Sequence, residues 1–272
     1  MARPRRKRRG SSSSPWAAIA IFALVLFIAV AASALVYLKV RAGDEVATDE
    51  NLCPVTGPVS MSAMLLDVTD PISEVTKLDL QNQFQKVVAQ VPKGGLIEVY
   101  FLTESEGQPK RTYYGCNPGD GSSADPWTTN PRKIQERWKK AFSDPLEKMV
   151  DSTDTAQAAK QSPIMAGIQK IVIASLSSDG ASQIPRTLYL ASDMMEHTDA
   201  YSMYRNGTGY GAYEKSPARD RYRTPLDGIG VKVLAFQRPN MPPANEIAEF
   251  WLAWVRANRG DFIGFERLTG VR

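Results

Sequence analysis

The sequence predicts an α/β fold: a doubly wound, mostly parallel sheet with helices on both faces, preceded by one transmembrane helix. Three observations predict it. Apolar runs at 61–66, 96–102, 187–192 and 231–236 lack the period-two alternation of half-exposed strands, as expected where helices cover both faces of a sheet. Stretches with helical periodicity alternate with those runs. A run of 23 residues without a charge, 16–38, stands ahead of the whole pattern.

At 1.5 Å per residue the uncharged run covers about 34 Å, enough to span a bilayer core of about 30 Å. Residues 1–15 form a basic tail, in which Arg3, Arg5, Arg6, Lys7, Arg8 and Arg9 precede the run. Lys39 and Arg41 follow it, then Asp44, Glu45, Asp49 and Glu50. The positive-inside bias places the tail in the cytoplasm and the C-terminal body across the membrane, which in a bacterium means an inner-membrane anchor and a periplasmic body. A cleaved signal peptide is the rival reading, because Ala29-Val30-Ala31 resembles a processing site. The apolar run continues past that site to Leu38, which favours an uncleaved signal-anchor.

The net charge of +4 belongs to this end of the chain. Residues 1–43 hold eight basic groups and no acid, leaving 25 basic against 29 acidic groups in the rest. A mildly acidic body gives no electrostatic ground for nucleic-acid binding.

Residues 39–60 read as an extended stalk containing Pro54, Gly57 and Pro58, and 61–272 as the folded domain. A buried strand at 61–66 leads into a helix carrying Ile72, Val75, Leu80, Phe84, Val87, Val88 and Val91 at three- and four-residue steps. Pro92, Gly94 and Gly95 end that helix, and 96–102 is the second strand. After a turn at Glu106-Gly107, residues 111–114 form a short antiparallel edge strand. Helices are expected at 131–150, with a break near Pro145, and at 162–176. The strand at 187–192 ends at Asp193. Residues 194–228 read as an irregular insertion, and 231–236 as the last core strand. A closing helix at 245–258 presents Ile247, Phe250, Trp251, Trp254 and Val255 on one face, and Gly260 stops it.

The first strand ends in Asp67-Val68-Thr69-Asp70-Pro71. The carboxyl end of a central strand is where open α/β sheets bind ligands, and Asp and Thr oxygens there suit a hard cation such as Mg²⁺ or Mn²⁺. Helix capping competes with this reading. Asp70-Pro71 and Ser162-Pro163 each look like an N-cap followed by proline at the first helical position, and Asp193 would also serve as simple punctuation of a strand end. His197 is the only histidine. A Ser-His-Asp role lacks a Gly-x-Ser-x-Gly elbow, so His197 reads as turn material. There is no phosphate-binding glycine motif. Asn206-Gly207-Thr208 matches a glycosylation sequon. The insertion is crowded with Tyr201, Tyr204, Arg205 and Tyr210, residue types favoured at interface hot spots. Two cysteines, Cys53 and Cys116, allow one disulfide or two free thiols and exclude a CxxC or structural zinc site.

Taken together, the strand-end Asp67-x-Thr69, Ser162 before a helix and Asp193 after a later strand resemble the von Willebrand factor A (vWA) domain. That family has an Asp-x-Ser-x-Ser motif after its first strand, a short antiparallel third strand, a Thr in a second loop and an Asp in a third. The resemblance covers roughly residues 58–260. It departs at Pro71, which takes the place of the second Ser, and at Ser162, which replaces the usual Thr. The resemblance implies a divalent-metal site at Asp67, Thr69, Ser162 and Asp193, completed by an acidic group of a partner. It also implies that Cys53, before the first strand, and Cys116, after the third, meet at the pole opposite Asp67, so that a disulfide is expected.

The function expected on this basis is a membrane-anchored binding or assembly module rather than an enzyme, within an envelope secretion or conjugation machine. The alternatives are a membrane-anchored hydrolase using a metal-activated water between Asp67 and Asp193, and a scaffold whose metal site has decayed.

Overall fold

The computed structural model describes residues 15–42, 47–67, 69, 71–104, 108–123, 130–151, 159–178 and 180–268. The basic tail, the cap expected at Asp70 and the turn expected at Glu106-Gly107 lie outside the described residues. The chain divides into two units, 1–46 and 47–272.

Among the described residues, the first unit contains one helix, α1 (Pro15–Ala42). Its segment Ala18–Tyr37 is long and apolar enough to cross a membrane. Between Trp16 and Tyr37 its Leu, Ile, Val and Phe side chains stand exposed all round the helix axis, as a lipid-facing helix requires.

In the second unit, six strands among the described residues form one sheet: β1 (Met61–Asp67), β2 (Leu96–Leu102), β3 (Lys110–Cys116), β4 (Arg186–Ser192), β5 (Ile229–Phe236) and β6 (Asp261–Leu268). Their order is β3-β2-β1-β4-β5-β6. Every pairing is parallel except β2 with β3, which is antiparallel as expected. β1 is therefore central, and Asp67 is its last residue.

The two faces explain why the strands do not alternate. Ala63 and Leu65 of β1 point to one core with α5 (Ile164–Ile171) and α9 (Ala244–Ala257), where Trp251 and Trp254 are fully buried. Met64 and Leu66 point to the other, with Leu80, Phe84 and Val87 of α2 (Glu74–Gln90). Each strand position thus faces a hydrophobic layer. The α5 helix lies so close to β1 and β2 that a Cβ at Gly167 would stand 2.8 Å from Leu102 Cδ1, which explains the glycine in mid-helix.

One buried polar group in the sheet shows how such a group is held. Buried Glu98 of β2 accepts from Tyr100 Oη at 3.0 Å, from Arg111 at 3.1 Å and from Ser175 Oγ. Burial first, and the Glu98 charge second, push the Tyr100 phenol up to about 12.

Cys53 and Cys116 form a disulfide. Cys116 pairs in register with Leu96, and Leu96 with Met61. The bridge therefore sits where β1 begins, at the pole opposite Asp67, as expected.

The structure differs from the sequence reading in four places. β6 is an additional strand, parallel to β5 at the sheet edge, where 231–236 was expected to be the last. The helix after β1 begins at Glu74, capped by Ser73, whose Oγ accepts from Thr76 N at 3.1 Å. Pro71 precedes that helix and does not open it. The helical stretch after Pro131 is not broken at Pro145: α3 (Pro131–Trp138) passes through a π-turn (Lys139–Ser143) into α4 (Asp144–Asp151). The insertion after Asp193 is an ordered cap with three short helices, α6 (Met203–Asn206), α7 (Tyr210–Glu214) and α8 (Ala218–Arg221).

Candidate functional site at the C-terminal edge of the sheet

Asp67 is the hub of this edge. Strand β1 carries its side chain to the mouth of the sheet, where it is 2% exposed. Its Oδ1 accepts from Thr69 N at 3.0 Å and from Thr69 Oγ1 at 2.6 Å. Its Oδ2 accepts from Ser162 Oγ at 3.1 Å and from Ser192 Oγ at 2.7 Å. Four protein donors hold one carboxylate, so its charge is stabilised although it lies in a low-dielectric place.

Three segments separated by up to 125 residues meet here. Thr69 is fixed by its own carbonyl, which accepts from Ala159 N at 2.9 Å. Ser162 is clamped by a reciprocal pair of backbone bonds to His197, at 2.9 and 3.0 Å. The α5 helix starts at Ile164, with Pro163 at its N-cap position and no side-chain cap. The capping expectation for Ser162 is therefore wrong: its hydroxyl donates to Asp67. A different residue serves that helix end, because the buried Glu196 Oε2 accepts from Met165 N at 2.8 Å. A carboxylate there also meets the positive end of the helix dipole.

Asp193 follows β4. Its Oδ1 accepts from Met195 N at 2.9 Å, and its Oδ2 lies 3.1 Å from Arg238 Nε. Met194 between them adopts a left-handed backbone, φ 63°, a conformation uncommon for a bulky side chain. It is held there by Met194 N to Ser192 Oγ at 2.8 Å and by Trp251 Nε1 to Met194 O at 2.8 Å. Arg238 comes from the loop after β5, the strand beside β4.

Above these groups opens a cleft of about 280 Å³ lined by Thr69, Lys160, Ser162, Asp193, His197 and Tyr204, among others. His197 Nδ1 is bonded to Ser202 Oγ at 2.8 Å, and its ring meets Tyr204 edge-on at 5.4 Å. Tyr204 stands at the rim, 62% exposed.

All four residues expected at the site, Asp67, Thr69, Ser162 and Asp193, reach this edge. Of the four insertion residues expected to meet a partner, Tyr204 lies beside the cleft. Tyr201 does not face solvent: it is 1% exposed, stacked on Phe250 at 6.0 Å and edge-on to Tyr213 at 5.3 Å. Tyr210 also packs against Phe250, at 5.8 Å. Arg205 donates to Thr198 O at 2.7 Å and helps fix the insertion. The sequence reading missed Ser192, Glu196 and Arg238.

The donor set departs from that of a resident divalent cation. Thr69 and Ser162 offer hydroxyl oxygens polarised by Asp67, which suits a hard ion. The second hydroxyl of the motif is absent at Pro71, and the Ser73 oxygen caps α2. Asp193 is paired with a guanidinium, which places a permanent positive charge beside any ion there. Among the described residues no three His, Cys, Asp or Glu side chains form a metal-holding group. The residues present do not fit a resident Mg²⁺ or Mn²⁺.

A central strand ending in the Asp-x-Thr hub, an antiparallel third strand at the edge and a third loop bearing Asp193 define the architecture. The fold is vWA-like. No family model and no curated protein matches the sequence. Among solved structures the chain is similar to an aerotolerance-related membrane protein from Bacteroides fragilis, at 10% identity and TM-score 0.38, covering 76% of this chain and 90% of that one. It is similar also to the conserved hypothetical protein BatB from Bacteroides thetaiotaomicron, at 12% identity and TM-score 0.34, covering 76% and 89%. A third is proximal thread matrix protein 1 from the mussel byssus, with a zinc-occupied MIDAS motif, at 12% identity and TM-score 0.38, covering 71% and 41%.

Proposed function

We propose that this chain is a membrane-anchored protein-binding module whose partner docks over the cleft above Asp67. The observation that carries the reading is the exposed Tyr204 ring at the rim of a cleft floored by the buried Asp67–Thr69–Ser162–Ser192 cluster. A rigid aromatic beside a fixed polar floor is the composition of an interface hot spot. Catalysis is the weaker reading, because both oxygens of Asp67 are engaged by protein donors, so that carboxylate is not free to act as a general base. Helix α1 is the anchor. The basic tail lies on the cytoplasmic side and the disulfide-bonded body outside the cytoplasm, in a bacterium in the periplasm, where an envelope secretion or conjugation machine supplies the partner. The reading requires neither Mg²⁺ nor Mn²⁺.

The test is a photo-reactive residue placed at Tyr204 in the full chain in its native membrane, with a second at Val55 on the opposite pole as control. A discrete cross-linked adduct is expected at 204 and not at 55, and Asp67→Asn should abolish it. No adduct at 204, or one unchanged by Asp67→Asn, overturns the proposal.

A further inference from the structure

We infer that Arg238 is a built-in cation: its guanidinium supplies to Asp193 the positive charge that a divalent ion would otherwise bring, which makes the site independent of metal. The inference rests on the binding reading above for its use and deepens it by fixing how the site is charged.

Three observations converge on it. First, the pair is well removed from water, with the Asp193 side chain 5% and the Arg238 side chain 23% exposed, at 3.1 Å. An ion pair in such a place is far less screened than one on the surface. Second, the pairing is built by the sheet. Ser192 and Ala235 are partners in the β4–β5 register, so the loop leaving β5 necessarily passes beside the loop that carries Asp193. Met195 N holds the other Asp193 oxygen at 2.9 Å, and both oxygens are thereby engaged within the protein. Third, the hydroxyl set is cut back in the same direction. Pro71 has no side-chain donor, and the nearest serine, Ser73, is bonded to Thr76 N. What remains is Asp67, satisfied by four donors, and Asp193, neutralised by Arg238.

The chemistry separates the two kinds of cation. A bound metal exchanges with its surroundings and responds to chelators, whereas a guanidinium stays protonated throughout the accessible pH range and cannot leave. Asp193 is held on one oxygen by Met195 N at 2.9 Å, with the guanidinium charge 3.1 Å from the other. A second positive group beside the pair is repelled. Removing only the guanidinium leaves Asp193 and Asp67 at the mouth with the Thr69 and Ser162 oxygens, and that remainder is a hard-ion site.

The experiment uses the full chain in detergent micelles, stripped with EDTA and melted with and without 10 mM MnCl₂ or MgCl₂. Wild type and Arg238→Lys are expected to show no change in melting temperature with metal. Arg238→Gln is expected to melt lower in EDTA and to gain about 3 °C or more with Mn²⁺, the size of shift that a ligand present well above its dissociation constant produces in a domain of this size. Should Arg238→Gln fail to fold in EDTA, Mn²⁺ must restore its cooperative melt. The double variant Asp193→Asn/Arg238→Gln is expected to gain nothing from metal. A metal-dependent rise in wild type comparable to that in Arg238→Gln overturns the inference, as does an Arg238→Gln protein that Mn²⁺ neither stabilises nor restores. The cross-link at 204 is read separately. A metal-binding wild type that still cross-links sinks this inference alone, and a metal-silent one that never cross-links sinks the binding reading alone.

Discussion

Replacing Cys53 and Cys116 together by alanine tests the pole opposite the site and the compartment of the body in one experiment. The bridge joins residues 63 apart in sequence. Loop-closure entropy for a loop of that length gives about 4 kcal/mol of destabilisation of the unfolded chain at 25 °C. A kilocalorie moves the midpoint of a domain of 150–250 residues by about 2–4 °C, so the double variant should melt roughly 10 °C lower. Both cysteines are buried, and two alanines remove little volume there, so packing adds only a small further loss. The assay is thermal or urea unfolding of the full chain in detergent, wild type against the double variant, with the m-value checked for a change in the unfolded state. The same chain, alkylated in its native membrane before extraction, should show no free thiol, because the proposed topology puts the body in an oxidising compartment. A stability loss under about 1 kcal/mol, or two alkylated thiols in freshly extracted protein, refutes the reasoning.

Three other outcomes follow from the geometry. Ser73→Ala should cost about 1 kcal/mol through the lost N-cap bond to Thr76, and it should leave the Tyr204 cross-link intact, because Ser73 caps a helix and takes no part in the site. Glu98→Ala should cost about 2–4 kcal/mol in urea unfolding, because Tyr100, Ser175 and Arg111 lose a shared buried acceptor. Tyr100, Tyr113 and Tyr213 have phenols pushed up to about 12, chiefly by burial. Their folded pKa lies above the unfolded value of 10, so their contribution to stability is complete below pH 10 and is lost as pH rises toward 12. A spectroscopic titration at the phenolate band should show these three ionising together with unfolding, and three independent ionisations near pH 10 in a folded protein would contradict it.

The parts of the fold that were legible in the sequence are those where one interaction dominates. Buried parallel strands carry apolar residues on both faces, and the runs at β1, β2, β4 and β5 have that composition. The stripe Ile247, Phe250, Trp251, Trp254 and Val255 is buried entire, as helical spacing demands. Strand β6 was hidden because an edge strand is half-solvated: Asp261, Gly264, Glu266 and Arg267 interrupt its apolar residues, and Gly260 just before it reads as a stop. Tyr201 was misjudged because composition does not tell an exposed aromatic from one that seats a cap on Phe250. At the site, the positions of Asp67 and Asp193 followed from strand ends, which sequence marks well. The role of Ser162 did not, because a serine before a proline offers capping and long-range bonding equally, and only the fold brings Asp67 to it. Ser192 carried a weak signal, a hydroxyl ending an apolar strand just before Asp193. Arg238 carried none: it sits in the loop Gln237-Arg238-Pro239-Asn240, and its partner is set by the β4–β5 register alone.

The claim on which the rest depends is that three distant segments form one site around Asp67. A double-mutant cycle on Asp67→Asn and Ser162→Ala, read by urea unfolding of the full chain, measures it directly. Direct bonding at 3.1 Å in a buried place predicts a coupling of about 1–2 kcal/mol between the two substitutions. Additive losses, with coupling below about 0.3 kcal/mol, would contradict the account.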